Sequence, residues 1–352
     1  MSDYMKIKDL CRQIPENSQY FPSEVFNIIR DQGLLQLNLP KSYQKISEKY
    51  FLYKTLFEIG KASLSVGRIY EGHINAIKLI NDLGSTEQKD FYFAEVKKGK
   101  LFSVWNTEII SEALTGEIKH DCLILKGAKI FCSGGLHIDY ALITAKIEGA
   151  KQLIIIPLKA FPALKEDYSL WHPMGMKNSV SCRIDFTNLA ISSKNRIGGK
   201  NDYELEPWFT GGAIRFASVQ LGGAEAVMNA AQDHLKNLNR VDDPYQQQRF
   251  GLMAVQIESG KLWLEKAQNL ESQSEQYSKE EIVNFANMMR SAVLEICEKI
   301  LQLSERSVGV QGFMNTHALD QVYRDLKVYL KQPGPDFALQ NVGAYYLNDF
   351  KR

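Results

Sequence analysis

The hydrophobic residues of this 352-residue chain change their period twice. Near the N-terminus, Val25, Ile28 and Ile29 follow Phe21-Pro22-Ser23-Glu24 at helical spacing and stop at Gly33, which predicts one helix, broken afterwards by Leu39-Pro40. A second helical run over residues 53–64 and a third around 74–83, closed by Gly84, continue the pattern. Ser85-Thr86-Glu87-Gln88 has the form of a capping box and predicts the start of a fourth helix.

From about residue 101 the apolar residues come in short runs, such as Cys122-Leu123-Ile124-Leu125 and Leu153-Ile154-Ile155-Ile156, separated by glycines and charges. This is the pattern of strands. The clearest strand spans 180–186, where Val180, Cys182, Ile184 and Phe186 alternate with Ser181, Arg183 and Asp185. After about residue 204 the helical period returns. Leu252, Val255, Ser259, Leu262 and Trp263 mark one stripe, and Ile282, Phe285, Ala286, Met289, Val293, Ile296 and Ile300 mark another. The expected class is α+β, predominantly α: an N-terminal helical domain over residues 1–100, a small central β-sandwich or barrel over 101–203, and a C-terminal four-helix bundle over 204–352.

Charge narrows the partners. With 42 Lys+Arg against 41 Asp+Glu there is no electrostatic footprint for nucleic acid or an anionic membrane, so a small molecule or another protein is expected. Met1-Ser2-Asp3-Tyr4-Met5-Lys6 lacks the apolar run of a secretory signal, and no stretch is long enough to predict a membrane span. The five cysteines (Cys11, Cys122, Cys132, Cys182, Cys297) contain no C-x-x-C pair, which predicts reduced thiols in a cytoplasmic protein, small hydrophobes in a core, and no metal site.

Several segments carry a resemblance. They include Gly84-Ser85-Thr86-Glu87-Gln88-Lys89, Thr107-Glu108, the stretch Leu125-Lys126-Gly127-Ala128-Lys129-Ile130-Phe131-Cys132-Ser133-Gly134-Gly135, Gly175-Met176-Lys177-Asn178-Ser179, and Tyr323-Arg324-Asp325-Leu326-Lys327. Their order and spacing, over nearly the whole chain, resemble the acyl-CoA dehydrogenase superfamily. The resemblance implies an oxidoreductase and flavoprotein with FAD held between the β unit and the bundle, and a homodimer or homotetramer. It implies that Thr107 and Ser133 offer hydroxyls to the flavin and Phe131 a wall for its ring. Read without the family, a Thr and a Ser at strand ends beside a Phe only pack and cap. Gln246-Gln247-Gln248-Arg249-Phe250-Gly251 stands where the family has R-x-x-F-G, an arginine that reaches a flavin phosphate across the dimer interface. Gln247 holds the arginine's place. Arg249 either replaces it, with Phe250 beside it, or is a solvated charge. The Q-x-x-G-G-x-G-y element survives only as Arg306-Ser307-Val308-Gly309-Val310-Gln311-Gly312-Phe313, with Gly309 as its first matching glycine, and Ile109-Ile110-Ser111-Glu112-Ala113-Leu114 lacks the glycine of the family's turn.

The catalytic base is missing. Common members carry a glutamate nine residues after the arginine of R-D, and counting from Arg324 that position is Pro333. Relatives that place the glutamate on the first bundle helix are not matched either, since residues 208–223 hold no Asp or Glu. Asp336, the nearest carboxylate, is expected to cap a helix. The histidine found in this loop of the superfamily's monooxygenases is Gln332 here, while His73, His137 and His172 are further candidates to reach a pocket or to be ordinary part-buried histidines. No catalytic residue is assigned. The sequence therefore points to a flavin-dependent oxidoreductase acting on an acyl thioester, bound to CoA or to an acyl-carrier protein, with an atypical or absent base. The alternatives are a non-catalytic binding or assembly member and a flavin monooxygenase.

Overall fold

The computed structural model describes residues 3–11, 13–14, 19–43 and 51–348. Five helices come first: α1 (Asp3–Cys11), α2 (Ser23–Asp31), α3 (Leu52–Ala62), α4 (Leu64–Leu83) and α5 (Thr86–Lys97). The expected capping box opens α5, with Gln88 N donating to Ser85 Oγ (3.3 Å) and Ser85 N to Gln88 Oε1 (3.0 Å). The long helix α4 begins ten residues before the apolar pattern suggested. Ser63, in extended conformation, ends α3 and accepts a hydrogen bond from Val66 N (3.3 Å) to start α4 at once.

Ten strands follow: β1 (Phe102–Trp105), β2 (Thr115–Lys119), β3 (Cys122–Lys126), β4 (Ala128–Cys132), β5 (Tyr140–Ile147), β6 (Ala150–Pro157), β7 (Glu166–Asp167), β8 (Cys182–Asp185), β9 (Ala190–Ser192) and β10 (Arg196–Ile197). They form two sheets, one in the order β10-β6-β5-β2-β3-β9 with β1 also on β5, the other β4-β8-β7. Both faces of the β5–β6 hairpin are buried. Ile143, Ile154 and Ile156 join the main core, while Leu142, Leu153 and Ile155 pack with Ile77, Phe93 and Phe102 under α4 and α5. That is why these strands read as unbroken apolar runs, whereas β8 alternates as expected. Strands β1 and β2 share the same edge of β5, parallel to it, with Phe102–Trp105 on Tyr140–Ile143 and Thr115–Gly116 on Lys146–Ile147. Residues 106–114 must therefore loop out between them, and this loop carries Thr107 and Glu108.

The C-terminal part comprises α6 (Ala213–Asn237), α7 (Pro244–Ser272), α8 (Lys279–Val308), α9 (Ala318–Tyr329) and α10 (Pro335–Asn348). Helix α6 is central, packed on α3, α8 and α9. The α3–α6 crossing is close enough to require glycine: a Cβ at Gly222 would stand 2.0 Å from Phe57 O, and one at Gly60 2.2 Å from Val219 O. Helix α7 buries Met253, Ile257, Gly260 and Leu264, whereas Leu252, Val255, Ser259 and Leu262, taken from the sequence as a core stripe, face outward. Asp336 also differs from expectation: Pro335 is the first residue of α10, so Asp336 lies inside the first turn rather than capping it. Among the described residues, no helix is long and apolar enough to cross a membrane.

Candidate active site

One face of α4 is polar in a helix that is otherwise buried and apolar. Arg68, Glu71, Asn75 and Lys78, spaced three and four residues apart, project together into a cavity of about 750 Å³. The facing walls come from the start of α6 (Arg215, Phe216), from α8 (Ile282, Asn287, Arg290), from the end of β1 (Val104, Asn106, Thr107) and from the α9–α10 loop (Gln332, Pro333, Gly334). The tight α3–α6 crossing sets the α6 wall against Tyr53 and the α4 residues.

The polar wall is a connected network. Glu71, only 1% exposed, is paired with Arg68 and accepts from Asn75 Nδ2 (2.5 Å) and the Tyr329 hydroxyl (3.4 Å). Asn75 Oδ1 in turn accepts from Arg215 Nε. The Tyr53 hydroxyl donates to Glu271 Oε2 (3.0 Å), and Lys78 holds Asp82 (3.3 Å) and Glu271 (3.8 Å). Burial, reinforced by Glu271 at Tyr53 and by Glu71 at Tyr329, raises both phenols well above their ordinary range, so both remain neutral donors at physiological pH. Arg290 donates to the carbonyl of Pro333 (2.9 Å) and lies over the Phe216 ring at 5.4 Å; burial lowers its proton affinity.

Of the flavin-contact residues singled out in the sequence, Thr107 lines the cavity, whereas Phe131, Ser133, Gln247, Arg249, Phe250 and Gly309 do not. Ile130 N donates to Thr107 O (3.0 Å), so β4 runs beside the looped-out segment, and Thr107 is exposed at the cavity's edge. Phe131 is 43% exposed, has a φ of 54°, and meets Trp171 edge-on at 5.8 Å. The Trp171 indole N–H is buried without a partner among the described residues. Ser133 lies deeper: its hydroxyl is hydrogen bonded to Ser181 Oγ (2.9 Å), which bonds Ser179 Oγ (2.8 Å), and its carbonyl accepts from Trp105 Nε1 (3.1 Å). Gln247, Arg249 and Phe250 sit on the first turns of α7, and Gly309 ends α8 at a φ of 71°. Ser304 Oγ touches Met253 Sδ (3.5 Å), so these two ends of the α7–α8 hairpin adjoin. The cavity is at the other end, near Glu271. Twenty-two residues of helix separate Arg249 from Glu271, about 33 Å at 1.5 Å per residue.

None of the candidate histidines lines the cavity. His73 is buried, with Nε2 on Leu35 O (2.8 Å) and Nδ1 accepting from Phe102 N (3.1 Å); His137 stacks on Phe21 at 4.4 Å; His172 is exposed. Two family-like motifs prove structural. Glu108 pairs with Lys129, which is fully buried and also donates to Thr144 Oγ1 (3.0 Å), and Arg324 donates to Met174 O (2.6 Å) while Asp325 receives Met176 N. The network on α4 was missed in the sequence. Its signal was present, since Arg68, Glu71, Asn75 and Lys78 share one helical face.

The family described as "Acyl-CoA dehydrogenase, N-terminal domain" matches residues 5–100, and "Acyl-CoA dehydrogenase, C-terminal domain" matches residues 206–336. The chain belongs to the acyl-CoA dehydrogenase superfamily. Among curated relatives, it is 23% identical to a dibenzothiophene monooxygenase of Mycolicibacterium goodii, over 91% of this chain and 86% of that protein. It is 24% identical to an acryloyl-CoA reductase (NADH) of Anaerotignum propionicum, over 92% and 88%. Among solved structures, TdsC from Paenibacillus sp. A11-2 with FMN and indole superposes with a TM-score of 0.86 at 18% identity, covering 98% of this chain and 96% of that one. Butyryl-CoA dehydrogenase from Megasphaera elsdenii gives 0.83 at 17% identity, covering 99% and 98%.

Proposed function

We propose that this chain is a flavin-dependent oxidoreductase whose substrate occupies the cavity between α4, α6 and α8, and whose reaction does not begin with proton removal by a carboxylate. One observation carries the second half of that reading. Pro333 stands in the cavity wall where the family's base is expected, and the carboxylates around it are engaged: Glu71 by Arg68, Asp82 and Glu271 by Lys78, and Glu206 by the Thr210 N–H (3.1 Å) and hydroxyl. A base needs a free, correctly placed lone pair.

Phe131 and Trp171, outside the cavity lining, and Thr107 at its edge support a flavin. Phe131 holds a left-handed backbone conformation that a packed interior does not demand, and it presents an open ring face; residues in such conformations concentrate at sites of function. The Trp171 N–H next to it, without a partner among the described residues, is a donor for a heteroaromatic edge, and Thr107 offers a second. A bound flavin supplies a hydride acceptor and, when reduced, reactivity toward dioxygen. The protein's own part is to bind and orient the substrate against Asn75, Arg215 and Asn287, and to hold Tyr53 and Tyr329 as neutral donors. FAD is the cofactor implied by the family; FMN is the flavin in the TdsC complex.

Arg249 lies about 33 Å along α7 from the cavity residue Glu271, which supports contact with a flavin held by a second copy. The outward stripe of Leu252, Val255 and Leu262 supports a homodimer, or a homotetramer of two such dimers. The free cysteines fit a cytoplasmic setting. Between the chemistries of the family, lack of a free carboxylate favours a monooxygenase over oxidation of an acyl thioester, whether CoA- or carrier-bound.

The test begins with the visible spectrum of the purified protein, before and after incubation with FAD or FMN, and with acid release of the flavin for identification. A protein that stays colourless under both conditions removes the flavin reading and leaves a binding member. For a flavin-loaded protein, oxygen consumption coupled to a hydroxylated product is expected. Rapid anaerobic bleaching by a saturated acyl-CoA would instead establish thioester oxidation.

A further inference from the structure

We infer that the ligand of this cavity is an uncharged aromatic molecule whose edge carries a hydrogen-bond donor beside an acceptor, as a lactam does, and that Asn287 reads that edge. The inference rests on reading the cavity as the substrate site. The lining is balanced in charge: Glu71, Asp82, Glu206 and Glu271 stand against Arg68, Lys78, Arg215 and Arg290. Each of these groups is engaged within the chain. Glu71 holds Arg68, Lys78 holds Asp82 and Glu271, and Glu206 accepts from Thr210 N. Arg215 is bonded to Asn75 and to the Tyr53 hydroxyl, and Arg290 to the Pro333 carbonyl. A charged ligand would lose its hydration and find no partner without breaking one of these contacts.

Asn287 is different. It is 4% exposed and part of the lining, yet among the described residues no group hydrogen-bonds its side chain. One turn earlier on α8, Asn284 Oδ1 is likewise buried without a partner among the described residues. Three residues apart, the two amides share a helical face, and only Asn287 reaches the cavity. Buried amides that bond nothing in the fold work against folding. A carboxamide presents an N–H donor and a carbonyl acceptor side by side, and a ligand that fills the cavity strips water from both. The loss is avoided when the ligand returns an acceptor and a donor at the same spacing. Trp208, Phe209, Phe216 and Phe337 line other parts of the cavity and suit a flat ring system as the body of the ligand.

Carbostyril and coumarin are suitable probes, because they share one bicyclic shape and differ in the lactam N–H, which coumarin replaces with a ring oxygen. Titrated by calorimetry into the purified protein with whatever flavin it retains, carbostyril is expected to bind about fivefold more tightly than coumarin. Quinaldate, an anionic bicycle, should bind more weakly than either. In Asn287→Leu the two neutral probes should come within about twofold of each other. That variant should fold, with a thermal midpoint at or above that of the ligand-free wild type, because the amide makes no bond inside the fold. Equal binding of carbostyril and coumarin to the wild type, no binding of any probe, tightest binding of quinaldate, a carbostyril preference that survives in Asn287→Leu, or a lower midpoint for that variant would overturn the inference. A flavin also carries a lactam-like edge. Displacement of bound flavin by carbostyril, or failure of Asn287→Leu to take up the FAD or FMN that the wild type takes up, would assign the amide to the flavin and overturn the inference too. The visible spectrum of the same sample keeps the two readings apart. A colourless protein that prefers carbostyril refutes the flavin assignment alone, and a yellow protein indifferent to the lactam N–H refutes the Asn287 site alone.

Discussion

Placing a carboxylate at the family's base position should not by itself make an acyl-CoA dehydrogenase of this protein, because Arg290 is waiting for it. The Arg290 guanidinium donates to the Pro333 carbonyl at 2.9 Å, so a glutamate side chain at 333 starts within reach of that cation. Two unit charges about 4 Å apart at an effective dielectric constant of about 20 interact by roughly 4 kcal/mol, or about three pKa units. Residue 333 is exposed, and solvent screening reduces this to about one unit. The pairing also holds the carboxylate away from a substrate carbon. A correctly positioned base contributes about 10²–10⁴-fold in rate. Pro333→Glu alone should therefore recover little of it, with flavin bleaching by butyryl-CoA within about tenfold of wild type. Pro333→Glu combined with Arg290→Gln should exceed the wild type by roughly 10²-fold. Anaerobic stopped-flow on flavin-loaded proteins makes the comparison. Equal rates for the single and double variants would refute the role given to Arg290. Fast bleaching of the wild type would show that a base is already present.

Other residues give independent tests. Burial lowers the His73 pKa to about 4, so the native state binds fewer protons than the unfolded state, whose imidazole titrates near 6.5; this contribution is complete above that value and is lost as pH falls toward 4. At pH 5 the loss is about 2 kcal/mol, and urea denaturation should show the stability gap between wild type and His73→Asn shrinking by that amount from pH 7.5; a constant gap would contradict it. Glu108→Ala strands the fully buried Lys129 ammonium and should cost about 3–5 kcal/mol in the same assay, with most of the loss recovered by adding Lys129→Met. Val255→Glu with Leu262→Glu should yield monomers by light scattering and, because Arg249 would no longer reach a neighbour, weaken flavin retention; a stable dimer in that variant would move the interface elsewhere.

What could be read in advance follows from the range of each interaction. The capping box at Ser85, the alternation in β8 and the helix, strand, helix order are local, and each is written in adjacent residues. The start of α4 was hidden because Gly67, Arg68 and Gly72 interrupt its apolar pattern, although the Ser63 cap was available as a signal. The cavity is different in kind. Asn75 meets Arg215 across 140 positions and Glu71 meets Tyr329 across 258, so no local spacing announces the network. Periodicity on α7 located two faces but not which one meets the core, since Leu252, Val255 and Leu262 are as apolar as Met253, Ile257 and Leu264. Position 333 was found by counting from Arg324, a register that the chain preserves because Arg324 and Asp325 tie α9 to residues 174–176.

The absent base and the arginines of the cavity wall are physically connected. A carboxylate base has to stay free, and a cavity wall that contains Arg215 and Arg290 would capture it, as the Arg68–Glu71 pair already illustrates one turn of α4 away from Asn75. The wall's own carboxylates are already held in such contacts, Glu71 by Arg68, Asp82 and Glu271 by Lys78, and Glu206 by Thr210. The neutral phenols of Tyr53 and Tyr329 are then the proton-bearing groups that this wall offers a substrate, and neither is a base at physiological pH.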